Sequence, residues 1–365
     1  MARKLEVCIC GGGHVAHALV AAIGANSDVA VKVFTRRPEI WDTQIHAVHG
    51  GLVIIGHPQL VTAAPSVAVA GADIIFIAAP AFAHDAILTA VGPFVAPGAW
   101  IGALPAPGFF DWAASSSLAP QTRIFGAQRS PYNCRVTIAG RQVEVLGVVP
   151  RLAVAASPRR HIAELVALLS ATLSLPIDEL DNFLCVTLAP APTIFHPARL
   201  FALLSDWDGR SAFGGQPPLF YEDWDDTASR IYLRCDDELQ AICRSLPLDM
   251  SGVTPARSHY GAPTAASLTG RIRSLAGLRA IPLPIRSGEC GWMPDLRDRF
   301  FLEDFPFGLR AVRTIAALAN VETPTLDMID TWSQRPPIAL PSRSPDCSDR
   351  VRGRSLEEIV RKAAL

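Results

Sequence analysis

The sequence predicts an α/β fold: a doubly wound parallel sheet over residues 1–180, an all-α helical domain over 181–332, and a tail with a short C-terminal helix over 333–365. Three observations carry that prediction. In the first half, apolar runs of strand length alternate with helix-length amphipathic segments. The runs are apolar throughout rather than every second residue, as in strands covered on both faces. Beyond about Asp181 the strand-like runs stop, and amphipathic helical segments separated by prolines take over.

Taken in order, Leu5–Cys10 reads as the first strand, running through Gly11-Gly12-Gly13 into a helix over His14–Ile23. Strands follow at Val29–Phe34, Gly51–Ile55, Ala72–Ile77 and Trp100–Leu104, with a helix over Ala83–Val95. Val143–Val149 and Leu152–Ala155 are expected to extend the sheet at its edge, and a helix over Arg159–Leu173 closes this half. Helices are then expected over Phe195–Leu204, Thr227–Ser245, Ala262–Leu275 and Pro306–Ala319. Pro190, Pro192, Pro217-Pro218, Pro282 and Pro284 break the chain between them. The stretch 333–354, rich in Ser, Pro and Arg, reads as a loose tail ahead of a helix at Ser355–Ala364.

Composition bounds the function. The 365 residues suit two domains. Lys and Arg number 33 against 34 Asp and Glu, a formal net charge of -1, which removes the electrostatic footprint of a nucleic-acid or anionic-membrane binder. With 50% hydrophobic and 18% charged residues, extended disorder is excluded. Mean hydropathy is high at +0.26, yet no apolar run reaches the ~18 residues that span a bilayer. The richest stretch is interrupted by Pro80, His84 and Asp85. The eight cysteines form no C-x-x-C pair and no histidine cluster has zinc-ligand spacing, so no metal is expected. Glu6 and the glycines at 11–13 interrupt the N-terminal apolar run, which therefore does not resemble a secretory signal. These features fit a reducing cytoplasm and small-molecule partners, with a homodimer left open.

Gly11-Gly12-Gly13-His14-Val15-Ala16 matches G-x-G-x-x-A between a strand and a helix, the Rossmann-type context that the motif needs. Gly11 allows the tight turn and Gly13 lets backbone approach a pyrophosphate. Ala16 lets the helix pack close, and the helix N-terminus at His14 and Val15 faces the phosphates. A glycine turn without a ligand is the bland alternative. At the end of the second strand, where an acidic residue would hold the ribose of NAD, the chain has Thr35-Arg36-Arg37. A hydroxyl and two guanidinium groups suit a 2′-phosphate, so NADP(H) is expected over NAD(H); two solvated arginines are the alternative. Ala79 and Pro80 end the fourth strand, where a nucleotide would pass.

In the second half, His196 sits between apolar residues just before a helix, a setting in which core histidines are common. Residues 298–309 embed Arg299, Glu303 and Asp304 among four phenylalanines. Unpaired charge there would be costly, so these groups should pair or hold a ligand. An ion pair with Asp304 capping the following helix is the structural alternative.

Together these residues resemble the opine dehydrogenases, the octopine/nopaline dehydrogenase-like enzymes. The resemblance runs over roughly residues 5–332. It is carried by GGGHVAHA at 11–18, PAFAHDAIL at 80–88, QRSPYNCRV at 128–136 and IFHP at 194–197, and above all by RFFLEDFPFGL at 299–309. It implies NAD(P)H-dependent condensation of an amino acid with an α-keto acid through an imine. It also implies that His196 and Asp304 form a catalytic dyad, that Arg299 binds the keto-acid carboxylate, and that Cys134 and Arg135 line the substrate site. In those roles Asp304 would fix the tautomer of His196, and Arg299 would grip the carboxylate bidentately. The chain departs from the family at Pro192-Thr193, where many relatives have Asn, and over Leu104–Gly108, which lacks a glutamine that some relatives carry. Arg297 offers a second candidate beside Arg299. The alternatives are a 2-keto acid or imine reductase of the same architecture and a non-catalytic NADP(H)-binding sensor.

Overall fold

A computed structural model describes residues 3–213, 216, 218–279, 281–288, 291–340 and 346–365. Cys290, Pro217 and the middle of the Ser/Pro/Arg-rich stretch, 341–345, lie outside the described residues. The chain divides into two compact units. The first comprises Met1–Ala106, Phe110–Val186 and Ala363–Leu365; the second comprises Pro107–Phe109 and Thr187–Lys362.

The strands of the first unit are β1 (Leu5–Cys10), β2 (Val29–Phe34), β3 (Ile45–His49), β4 (Leu52–Gly56), β5 (Leu60–Thr62), β6 (Ile74–Ile77), β7 (Trp100–Ala103), β8 (Arg123–Ala127), β9 (Tyr132–Ile138), β10 (Gln142–Val148), β11 (Leu152–Ser157) and β12 (Ile177–Glu179). Eight of them build one sheet in the order β5-β2-β1-β6-β7-β8-β11-β12. Every neighbouring pair is parallel except β8 with β11. The order reverses at β1, whose neighbours are β2 and β6, and a ligand crevice forms at the carboxyl ends of strands where a doubly wound sheet reverses. Val7, Cys8, Ile9 and Cys10 of β1 and Ile74, Ile75, Phe76 and Ile77 of β6 are all buried, as strands with both faces covered require.

The other four strands form a separate sheet, β4-β3-β10-β9. Two expectations are corrected here. Gly51–Ile55 does not join the parallel sheet, because Gly50 and Gly51 take positive φ and fold β3 and β4 into an antiparallel hairpin. Val143–Val149 does not extend the main sheet either; it pairs with β9 and β3, whereas β11 does join the main sheet. The helix after β1, α1 (His14–Ile23), carries two histidines that bind this second sheet. Val136 N donates to His14 Nδ1 at 2.9 Å, and Gly140 N donates to His17 Nε2 at 2.8 Å.

The second unit is largely helical, with its longest helix over Asp226–Ser245, capped by Asp225, whose carboxylate accepts from Ala228 N at 2.7 Å. Further helices span His196–Leu204, Ala265–Arg273, Arg310–Leu318 and Pro324–Ser333. A two-stranded hairpin, Ile285–Gly288 with Gly291–Pro294, adds strand to a half expected to be purely helical. The stretch read as a loose tail is anchored at several described points. Cys347, Val351 and Ile359 are buried, and Arg310 pairs with Asp346 at 3.0 Å. The last three residues return to the first unit, where Phe183 N donates to Ala363 O at 3.0 Å and Arg159 N donates to Leu365 O.

Candidate active site

The first unit presents a nucleotide-shaped cradle at the carboxyl end of β1. Gly11 has a φ of +150°, and a Cβ there would lie 2.3 Å from Ala78 O, so only glycine allows the chain to turn this close to β6. Gly13 is the N-cap of α1 and offers no side-chain cap, and a Cβ on it would meet nothing within 4 Å. The first turn of the helix carries no acidic side chain and no side-chain cap, as an anionic ligand at a helix N-terminus requires. The His14 ring turns away to Val136, leaving its backbone at the helix start. Thr35 is buried against Gly12, while Arg36 and Arg37 are exposed and take no ion-pair partner among the described residues. Ala79 O accepts from His84 Nε2 at 3.0 Å, which fixes the turn through Pro80. These residues fit a nicotinamide dinucleotide.

Cys134 and Arg135 lie on β9 in the smaller sheet of this unit. Cys134 is buried, and the Arg135 guanidinium donates to Cys134 O at 2.9 Å.

In the second unit, two segments 108 residues apart meet. His196 opens the helix His196–Leu204 and Asp304 opens the π-helical segment Asp304–Leu309. His196 Nδ1 lies 2.8 Å from Asp304 Oδ2, with 15% of the histidine side chain and 6% of the aspartate side chain exposed. Asp304 therefore does not cap the helix after it. Asp298 caps a different helix, the short Arg299–Leu302 that precedes Asp304, where its carboxylate accepts from Phe300 N at 2.9 Å. Donating Nδ1–H to the Asp304 carboxylate fixes the neutral ring as the Nδ1–H tautomer and leaves Nε2 as an acceptor. Tyr221 Oη stands 3.0 Å from Nε2 and donates to it.

The dyad lies among aromatic rings. Phe300 meets the imidazole edge-on at 4.6 Å and Phe220 at 5.4 Å, and Phe220 stacks on Phe300 at 4.8 Å. This packing keeps bulk water from the ring faces and strengthens the Asp304 hydrogen bond. Arg299 lies beside it with 55% of its side chain exposed, 3.7 Å from Glu303. Desolvation works against its charge, and the carboxylates of Glu303 and Asp304 more than offset that, holding the guanidinium above its ordinary range. It is thus a permanently charged, partly open donor fork suited to a carboxylate.

Nothing in the sequence assigns Tyr221 a role. No local signal ties a tyrosine to a histidine 25 positions away; the link comes from the loop that carries it. Among the described residues, no group of three or more His, Cys, Asp and Glu could hold a metal, and no helix is long and apolar enough to cross a membrane.

Comparison with known proteins agrees with this architecture. Residues 179–335 match the family model described as NAD/NADP octopine/nopaline dehydrogenase, alpha-helical domain. The octopine dehydrogenase of Mizuhopecten yessoensis is 28% identical over 361 residues, covering 90% of this chain and 89% of that protein. The tauropine dehydrogenase of Arabella iricolor is 28% identical over 360 residues, covering 90% of each. In structure, octopine dehydrogenase with NADH and L-arginine superposes with a TM-score of 0.80 at 24% identity, over 98% of both chains.

Proposed function

We propose that this chain is an opine dehydrogenase, a nicotinamide-dependent oxidoreductase acting on CH–NH bonds as the matches to octopine and tauropine dehydrogenases support, and that it condenses an amino acid with an α-keto acid and reduces the resulting imine, with His196 and Asp304 managing protons, Arg299 holding the keto acid, and NADPH preferred. The observation that carries this reading is the 2.8 Å His196–Asp304 contact with Arg299 beside it.

When bound, a nicotinamide dinucleotide supplies the hydride that reduces the imine carbon. Gly11, Gly13 and the first N–H groups of α1 would hold its pyrophosphate, and Thr35, Arg36 and Arg37 its 2′-phosphate. Arg299 binds the keto-acid carboxylate through two parallel N–H donors and so fixes the orientation of the adjacent carbonyl. His196 takes a proton from the substrate ammonium at Nε2, since an amine attacks a carbonyl only once it is neutral. Asp304 stabilises the imidazolium that forms. The same nitrogen returns that proton to the substrate oxygen, and a second transfer of the same kind lets the oxygen leave as water, so His196 ends each condensation as it began.

The test is a matrix of amines against α-keto acids, following NADPH absorbance. Oxidation of NADPH is expected only when both partners are present. Equal turnover with the amine omitted would identify a simple keto-acid reductase and overturn the condensation.

A further inference from the structure

The Tyr221 hydroxyl at Nε2 raises a question of stoichiometry. Condensing R–NH₃⁺ with a keto group to give an iminium moves two protons from nitrogen to oxygen: the ammonium has three N–H bonds, the iminium has one, and the oxygen leaves as water. Nδ1 of His196 is committed to Asp304, so the imidazole has one working nitrogen, and Tyr221 Oη is already bound to it at 3.0 Å.

The placement of this tyrosine is built. Arg199, fully buried, donates to Asp223 O at 2.5 Å, Asp223 Oδ2 accepts from Leu219 N at 2.6 Å, and Arg273 donates to Trp224 O at 2.6 Å. Trp224 stacks on Phe195 at 4.5 Å, next to His196 in sequence. The loop on either side of Tyr221 is thus fixed by the buried Arg199 and Trp224 and by hydrogen bonds of Asp223 and Arg273 at the surface, and its phenol is aimed rather than adrift. Asp304 alone fixes the ring tautomer of His196, so the hydroxyl is not needed for that task. It also contributes to the electrostatic surroundings of Arg299, the proposed carboxylate anchor. The keto oxygen is one carbon removed from that carboxylate.

Resting on the condensation reading above, we propose that Tyr221 is a catalytic residue, the terminal carrier of an Asp304–His196–Tyr221 proton relay, whose phenol oxygen meets the reacting nitrogen and oxygen. In loading, Oη takes a proton from the substrate nitrogen as its own proton passes to Nε2, leaving a neutral phenol and an imidazolium held by Asp304. In unloading, the phenol proton goes to the substrate oxygen and Nε2–H refills it. The first cycle accompanies C–N bond formation and yields the carbinolamine. The second accompanies C–O cleavage, in which the nitrogen lone pair forms C=N and water departs. Each cycle returns the relay to its starting state, and no electrons change hands before reduction.

The test is Tyr221→Phe in the full chain, beside the wild type and His196→Ala, with an active amine and keto-acid pair. Tyr221→Phe is expected to lower kcat about 100-fold, with the keto-acid KM and the NADPH Kd within about twofold. The Nδ1–H proton signal of His196 bonded to Asp304 should persist in its NMR spectrum. Turnover within about threefold of wild type overturns the relay, as does loss of that NMR signal together with activity, which would make Tyr221 a mere support for the ring. If His196→Ala keeps full turnover, the dyad falls instead, and a wild type inactive with every pair overturns both readings.

Discussion

His17 and His196 are each bonded at both ring nitrogens, but to different kinds of partner. His17 Nδ1 meets Gly13 O at 2.8 Å, Nε2 accepts from Gly140 N at 2.8 Å, and the ring stacks on Trp41 at 4.2 Å. Both partners are backbone, which neither gains nor loses a proton at ordinary pH. His196 is bonded instead to a carboxylate and a phenol, both able to exchange protons. Burial lowers the pKa of His17, outweighing the Gly13 bond. One histidine ties α1 to the smaller sheet; the other has the partners that the proposed proton transfer needs. Burial alone does not identify a working histidine, but its partners do.

The sharpest way to break this contrast is His196→Ala. Turnover should fall about 1,000-fold, within the range of general acid–base catalysis, while NADPH affinity measured by fluorescence stays nearly intact. A comparable loss in His17→Phe at a temperature where that variant is folded would erase the distinction. Next, Arg299→Lys removes the paired donors and should raise the keto-acid KM about 10- to 100-fold, the equivalent of ~1.5–3 kcal/mol for a hydrogen bond to a charged group. The amine KM should change little. Smaller still, Arg36→Ala should weaken NADPH binding about tenfold while leaving NADH within about twofold; equal losses would contradict the 2′-phosphate assignment.

The smallest effect belongs to His17. His17→Phe keeps the stacking surface but orphans Gly140 N–H, and should cost ~1–3 kcal/mol of stability by chemical denaturation. Its pH signature has a definite sign. Because folding lowers this pKa, the neutral ring is favoured in the native state. The contribution of the site is complete above the unfolded value near 6.5 and is lost as pH falls through the lower native value. Wild type should therefore lose stability on acidification over that window, and His17→Phe should lose less.

The parts of this molecule legible in the sequence are those made by contiguous residues. The β1–glycine–α1 turn is local, and one strand, one turn and one helix define it. RFFLEDF places Arg299 and Asp304 in one short segment, and the cost of burying charge among phenylalanines marks it out. Tyr221 was not legible as a partner of His196, because nothing near it in sequence encodes a contact made through Arg199 and Asp223. The second sheet was obscured because apolar runs look alike whichever sheet receives them. Gly50-Gly51, a hairpin signal, was the available clue. The 333–365 stretch looked loose from its Ser, Pro and Arg content, although Cys347, Val351, Ile359 and Ala363 recur at multiples of four and are buried.

The return of residues 363–365 to the first unit has a kinetic consequence. On a ribosome, the large sheet is synthesised by Glu179, yet Phe183 and Arg159 receive their backbone partners from Ala363 and Leu365. The nucleotide half is the first to emerge and the last to be finished: it must persist with those two amides unpaired while the whole of the second unit is made. Replacing residues 363–365 would therefore be felt in the first unit, although the residues that precede them belong to the second.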